Sequence, residues 1–224
     1  MKNKPIIIIS NTLRSIEYLK ELKLKKIIPE LIIYLNDGIK NKFATILVKQ
    51  KFFFSCMVKE FLSNKINHKI AKYILNQKSN IIIFSGYPGY IIKNKLLLSK
   101  KKFLHSHPGK LPNYKGSTTI YYSLLKEGKI FCSTFVFNLK LDSGQNILTK
   151  NYKIPRNIFE IDGEYDSKIR AINMVEALTK LKSKRKGNGL KRKIKNKNRN
   201  KSNLYFVIHP MLRSIVFKKK KFYK

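Results

Sequence analysis

An α/β fold, Rossmann-like, with a mostly parallel central sheet flanked by helices, is predicted by three observations in this 224-residue sequence. Residues 6–9 (IIII), 31–35 (LIIYL) and 81–84 (IIIF) are continuous β-branched or apolar runs, the pattern of strands buried on both faces rather than of alternating surface strands. Segments with helical spacing separate them, at the length a parallel crossover needs. A polar loop rich in His, Pro and Gly follows a later strand, where open α/β sheets place their sites.

In chain order, Asn11 or Thr12 can start a helix whose apolar positions Leu13, Ile16, Leu19 and Leu22 recur at helical spacing. The second strand, 31–35, closes on Asn36-Asp37-Gly38, a turn signature. No GxGxxG follows the first strand, so the topology implies no nicotinamide cofactor. Residues 38–65 carry little pattern, and Phe52-Phe53-Phe54 reads as core or as the wall of a binding site. His68 opens a helix to about Asn76 and reads as a histidine without chemistry. The strand at 81–84 breaks at Ser85-Gly86-Tyr87-Pro88-Gly89, and residues 91–98 read as a helix leading to a short strand ending at Leu104.

The next stretch organises the chain. His105-Ser106-His107-Pro108-Gly109 places two of only four histidines one residue apart before a Pro-Gly break, which is expected to hold both imidazoles in a loop. Leu111-Pro112-Asn113-Tyr114-Lys115-Gly116 is a second turn, and Ser117 can cap a helix through Leu125. Residues 131–137 alternate large apolar with small or polar side chains, as a half-exposed strand does, and deliver the chain to Leu141-Asp142-Ser143-Gly144. Residues 147–154 read as a returning strand. Asp166 can cap a last helix with an apolar face of Ile169, Ile172, Val175, Leu178 and Leu181.

These residues carry a resemblance. His107-Pro108-Gly109, Leu111-Pro112, Tyr114-Lys115-Gly116 and Leu141-Asp142-Ser143-Gly144 resemble the two signature segments of the folate-dependent formyltransferases, whose motifs read roughly Asn-x-His, Leu-Pro-x-Tyr-Arg-Gly and Asp-Thr-Gly. That family includes the methionyl-tRNA, glycinamide ribonucleotide and sugar N-formyltransferases. The resemblance spans residues 5–175, and the 35 residues from His107 to Asp142 are close to the family's spacing. It implies the formyltransferase fold, 10-formyltetrahydrofolate as co-substrate and a small-molecule amine as acceptor. His107 is then the catalytic imidazole, Asp142 the carboxylate that fixes its tautomer, and His105 the group that polarises the formyl oxygen, standing where the family has Asn. By the same likeness Ser85, Gly86, Tyr87, Pro88 and Gly89 with Leu141, Ser143 and Gly144 line the folate pocket. Tyr114, Lys115, Gly116 and Ser117 meet the substrate. No metal is needed, although His105, His107 and Asp142 also form a known ligand set.

Composition bounds the rest. The net charge of +37, from 49 Lys and Arg against 12 Asp and Glu, fits either polyanion binding or a Lys-, Ile- and Asn-rich codon bias. Residues 182–224 hold 17 of those basic residues and no acid. The reading is a catalytic domain over 1–181, a basic flexible linker over 182–202 and a short segment over 203–224 with a basic, solvated end. Residues 182–201 could touch RNA non-specifically, and residues 204–210 could pack back as a strand or turn. Cys56 and Cys132 suggest neither disulfide framework nor zinc site. No apolar run reaches the roughly 18–20 residues of a membrane span, so a cytoplasmic protein without membrane contact is expected.

An amino-sugar acceptor is the leading expectation, because the barrel that follows the catalytic domain of methionyl-tRNA formyltransferases has no counterpart in the residues that follow here. A methionyl-tRNA formyltransferase-like enzyme lacking that barrel is the first alternative. A non-enzymatic, basic nucleic-acid-binding protein with a degenerate catalytic loop is the second.

Overall fold

The computed structural model describes residues 4–51, 54–89, 92–186 and 203–218. Expectations for Phe52, Phe53, Ile91, most of the basic linker and the final lysines lie outside the described residues. Among the described residues the strands are β1 (Ile6–Ser10), β2 (Leu31–Asn36), β3 (Met57–Leu62), β4 (Ile81–Ser85), β5 (Lys102–His107), β6 (Tyr114–Gly116), β7 (Ile130–Phe137), β8 (Gly144–Tyr152) and β9 (Asn203–Tyr205). The helices are α1 (Leu13–Leu24), α2 (Lys42–Lys51), α3 (His68–Leu75), α4 (Lys95–Lys100), α5 (Thr119–Glu127), α6 (Glu164–Lys186) and α7 (Pro210–Lys218). Seven strands hydrogen-bond in the order β3-β2-β1-β4-β5-β7-β8, and β6 pairs separately with β9. The pairs β1/β2, β2/β3, β1/β4 and β4/β5 are parallel.

The chain forms two compact units, one of residues up to 105 with 136–140, the other of residues 106–135 with those from 141 on. In the first, Ile6 to Ile9 have no solvent exposure at all, as the unbroken apolar run required. Their even-numbered side chains join Leu31, Ile33 and Leu35 of β2, Ile70 and Ile74 of α3, and Leu97 of α4 in one apolar cluster. Thr12 caps α1 by accepting from the Ser15 amide, and Asn67 caps α3 by accepting from Ile70. α4 starts later than the sequence suggested, at Lys95, because Asn94 caps it by accepting from Leu97.

In the second unit, α5, β7 and α6 share an apolar cluster with Ile208 and with Val216 of α7. The segment after the linker is thus built into this core, with β9 parallel to β6. Three local expectations are corrected here. β7 is buried from Ile130 through Phe135 rather than half-exposed, because Ser133 and Thr134 find hydroxyl and carbonyl partners inside. Asp166 is not a cap but lies inside the first turn of α6, where it pairs with Arg170 at 3.0 Å. That helix also runs past 181, to Lys186.

Candidate active site

β5 brings the catalytic candidates into place, and it continues through both histidines instead of releasing them into a loop. The strand persists because Phe103 and Leu104 are fully buried and Ser106 bonds the Thr134 hydroxyl at 2.6 Å, so the chain has an inward face to satisfy up to the Pro-Gly break. Thr134 in turn accepts from the Asn173 amide at 2.8 Å, and Asn173 accepts from Tyr152 at 3.1 Å. These buried polar groups were not singled out in the sequence. The signal available was the Ser133-Thr134 pair inside an otherwise apolar strand.

His107 is 3% exposed and both ring nitrogens face protein groups. Nε2 lies 2.8 Å from the Tyr114 carbonyl oxygen, which can only accept, so Nε2 carries the proton. The Thr119 hydroxyl sits 3.2 Å away and donates its own proton to the Pro108 carbonyl at 2.6 Å, which leaves its oxygen to share the Nε2 proton. Nδ1 is therefore the basic nitrogen of the neutral ring, and it faces Asp142 Oδ2 at 3.5 Å. That distance is long for a hydrogen bond and suits a contact that tightens when Nδ1 gains a proton. Burial pushes the imidazole below its ordinary value, against the opposite pull of the Asp142 carboxylate, while Arg170 lowers it further. The result is an oriented neutral base with an acid anion waiting for the conjugate cation.

Asp142 is held in the left-handed region, φ +41°, and its Oδ2 accepts from the Gly116 amide at 2.8 Å. Gly116 has φ +98°, and any Cβ there would overlap the Tyr205 carbonyl oxygen, so glycine is required. Gly109 is constrained by space instead: its Cβ would lie 2.9 Å from the Tyr114 oxygen and 3.0 Å from His107 Nε2. Ser133 pins the intervening turn, donating to Gly109 O at 2.6 Å and accepting from Leu111 N at 3.1 Å. Tyr114 is buried and stacks on Tyr205, while Lys115 is half-buried. Tyr114 and Gly116 thus meet the His107–Asp142 pair through their backbone. Ser117 does not cap α5 as expected, because its amide extends the β6 ladder by donating to Tyr205 O at 2.9 Å. Thr118 takes the cap position at φ +49° without a side-chain cap bond. Leu141 is exposed, Ser143 is half-buried, and Gly144 opens β8 at φ +134°.

In the other unit, His105 is half-buried, with its ring stacked on Phe137 at 5.2 Å. Its Nδ1 lies 3.3 Å from the Phe84 carbonyl and must donate to it, so any donation from Nε2 requires a second proton. Ser85 is fully buried: its hydroxyl bonds Ser15 at 2.9 Å and Arg14 at 3.3 Å, and its carbonyl accepts from Ser10 and Ser15. The Gly86 carbonyl accepts from Arg14. Tyr87 donates to Leu35 O at 3.3 Å, and burial pushes its hydroxyl up to about 12. Pro88 and Gly89 are the exposed part of this segment, and Gly89 has open space around its Cα at φ +76°. Among the described residues no three His, Cys, Asp or Glu side chains gather as metal ligands, and no helix is long and apolar enough to cross a membrane.

No family model and no curated protein sequence matches the chain. Solved structures do match. A sugar N-formyltransferase from a Shewanella species superposes with a TM-score of 0.60 at 12% identity, over 96% of this chain and 87% of that one. The phosphoribosylglycinamide formyltransferase of Bacillus halodurans gives 0.60 at 14% identity, over 81% and 97%. This chain has the formyltransferase fold. A 4-N formyltransferase from Francisella tularensis supports the same conclusion, with a TM-score of 0.57 at 16% identity over 97% of this chain and 87% of its own. The formyltransferase fold was the expectation raised by the His-Pro-Gly and Asp-Ser-Gly segments.

Proposed function

We propose that this chain transfers a formyl group from 10-formyltetrahydrofolate to a primary amine, with an amino sugar on a nucleotide as the acceptor. The observation that carries the reading is the His107–Asp142 pair, 3.5 Å apart, on a fold shared with formyltransferases. The folate supplies the formyl group and departs as tetrahydrofolate. As the acceptor amine adds to the formyl carbon, the His107–Asp142 pair takes up the amine proton, the carboxylate stabilising the imidazolium whenever Nδ1 carries it, and that proton is returned to the folate nitrogen as its bond to the formyl carbon breaks. His105 stabilises the oxyanion when its imidazole is charged. Backbone at Tyr87 and Gly89 is the folate-binding part of the residue 85–89 segment, since the Ser85 and Gly86 carbonyls already accept internal bonds. By the same family likeness Leu141, Ser143 and Gly144 are assigned to the folate, and Lys115 and Ser117 to the acceptor.

The test is direct. Incubation with 10-formyltetrahydrofolate should raise the Tm by mass action, and addition of nucleotide-linked amino sugars should release tetrahydrofolate and an N-formyl product. A chain that binds the folate but formylates methionyl-tRNA alone would move the assignment to that acceptor. The +37 charge favours a second reading, a nucleic-acid-binding protein acting partly through residues 182–201. Sequence-blind RNA binding with no folate stabilisation would decide for it.

A further inference from the structure

We infer that β9, through Tyr205, is a positioning element for the His107–Asp142 pair; this rests on the proposed function for its kinetic consequence alone. Both backbone groups that orient the pair belong to β6: the Tyr114 carbonyl receives the His107 Nε2 proton, and the Gly116 amide holds Asp142 Oδ2. Strand β6 is three residues long and its sheet neighbour is β9, in the register Tyr114↔Asn203, Lys115↔Leu204, Gly116↔Tyr205. A two-stranded ladder this short does not hold itself in water. Side chains must fix it, and Tyr205 supplies them. Its ring stacks on Tyr114 at 5.5 Å and packs on Tyr122 of α5 at 4.5 Å, and its hydroxyl accepts from Lys126 at 2.9 Å. Its carbonyl also receives the Ser117 amide, and lies where a Gly116 side chain would stand. The chain beyond the basic linker therefore returns to set the geometry of a histidine almost a hundred residues earlier.

The charged groups facing His107 are Asp142 and, from α6, Arg170 and Asp166; none belongs to β9. Loss of Tyr205 thus leaves the electrostatics of the pair intact and acts through the position of Tyr114 O and Gly116 N. The experiment compares Tyr205→Ala and Tyr205→Phe with the wild type by 15N imidazole shifts, with the His107 signal assigned from a His107→Asn sample. The wild type and Tyr205→Phe should show a single Nε2-protonated tautomer. Tyr205→Ala should show averaging between tautomers and an altered His107 titration, with kcat reduced about 10²-fold and KM little changed. Should Tyr205→Ala not fold, Tyr205→Leu keeps an apolar side chain and should show the same change in tautomer. The imidazole signal is read without any substrate, so a chain that transfers no formyl group still tests the inference. An unchanged His107 tautomer and titration in a folded Tyr205→Ala or Tyr205→Leu protein would overturn it.

Discussion

Asp142 Oδ2 stands 3.5 Å from His107 Nδ1 while accepting from the Gly116 amide at 2.8 Å, so one carboxylate oxygen is fixed by backbone and turned toward the basic nitrogen. Substituting Asp142→Asn keeps the shape but offers an amide that can donate to Nδ1 and occupy the lone pair. Formyl transfer should fall by about 10²–10⁴-fold, the range of general acid–base assistance, with the Tm retained. His107→Asn should fall as far. Steady-state rates measured beside thermal melts check this, and wild-type turnover in either variant would remove the pair from the mechanism.

Burial of His107 also has a signature in stability. Its folded value is lowered relative to the unfolded chain, so between the two values the unfolded chain binds a proton that the folded chain refuses. Stability should therefore fall as pH drops from the unfolded value of about 6.5 toward the folded one, and level off below it. Urea midpoints recorded from pH 7.5 down to 5 should decline in the wild type and decline less in His107→Gln. Equal slopes in the two proteins would show that the histidine is not buried in its neutral form.

Because His105 Nδ1 donates to the Phe84 carbonyl, Nε2 can donate to a formyl oxygen only from the imidazolium. His105→Asn presents an amide donor in its place and should retain transfer, whereas His105→Leu presents none and should lose about 10²–10³-fold, the cost of one oxyanion donor. Values of kcat for the three proteins at one pH make the comparison, and a His105→Leu protein with wild-type turnover would exclude His105 as the oxyanion donor.

Strands β1, β2 and β4 were legible because burial on both faces writes an unbroken apolar run, as in residues 6–9 and 81–84, whereas β3 was not, since its side chains are exposed or half-buried and leave no such run. The pairing of His107 with Asp142 was foreshadowed only by the resemblance to the formyltransferase motifs; nothing local in either segment says that the two meet. What escaped the sequence was non-local. The hydroxyl of Thr119 looks like an ordinary helix start, and Ser133 like an exposed strand position, until Pro108 and Gly109 carbonyls need donors. Residues 204–210 were read as a strand or turn packed back on the domain, but not against what, and the role of Tyr205 depends on a three-residue ladder to a strand 89 positions away. Extended pairing of that kind leaves no periodicity to read.

The two glycines of the site differ in what an added methyl would meet. At Gly116, an alanine would meet both a positive φ and the Tyr205 carbonyl, a backbone atom that moves only if β9 leaves. Gly116→Ala should thus lower stability by roughly 1–3 kcal/mol or more and release the β6/β9 ladder, seen as faster amide exchange at residues 203–205. At Gly109, the added methyl lies 2.9 Å from the Tyr114 carbonyl oxygen, a backbone atom, and 3.0 Å from His107 Nε2 and Thr119 Oγ1, so it crowds the groups that anchor the ring. Gly109→Ala should therefore lose some stability as well as rate, since the Tyr114 backbone and the ring must both shift. Melting curves and kcat for the pair of variants check this, with the larger loss of stability at Gly116, where a positive φ and a closer backbone clash combine. A Gly109→Ala protein with full activity would mean that the Nε2 anchorage is looser than the 2.8 Å bond to Tyr114 implies.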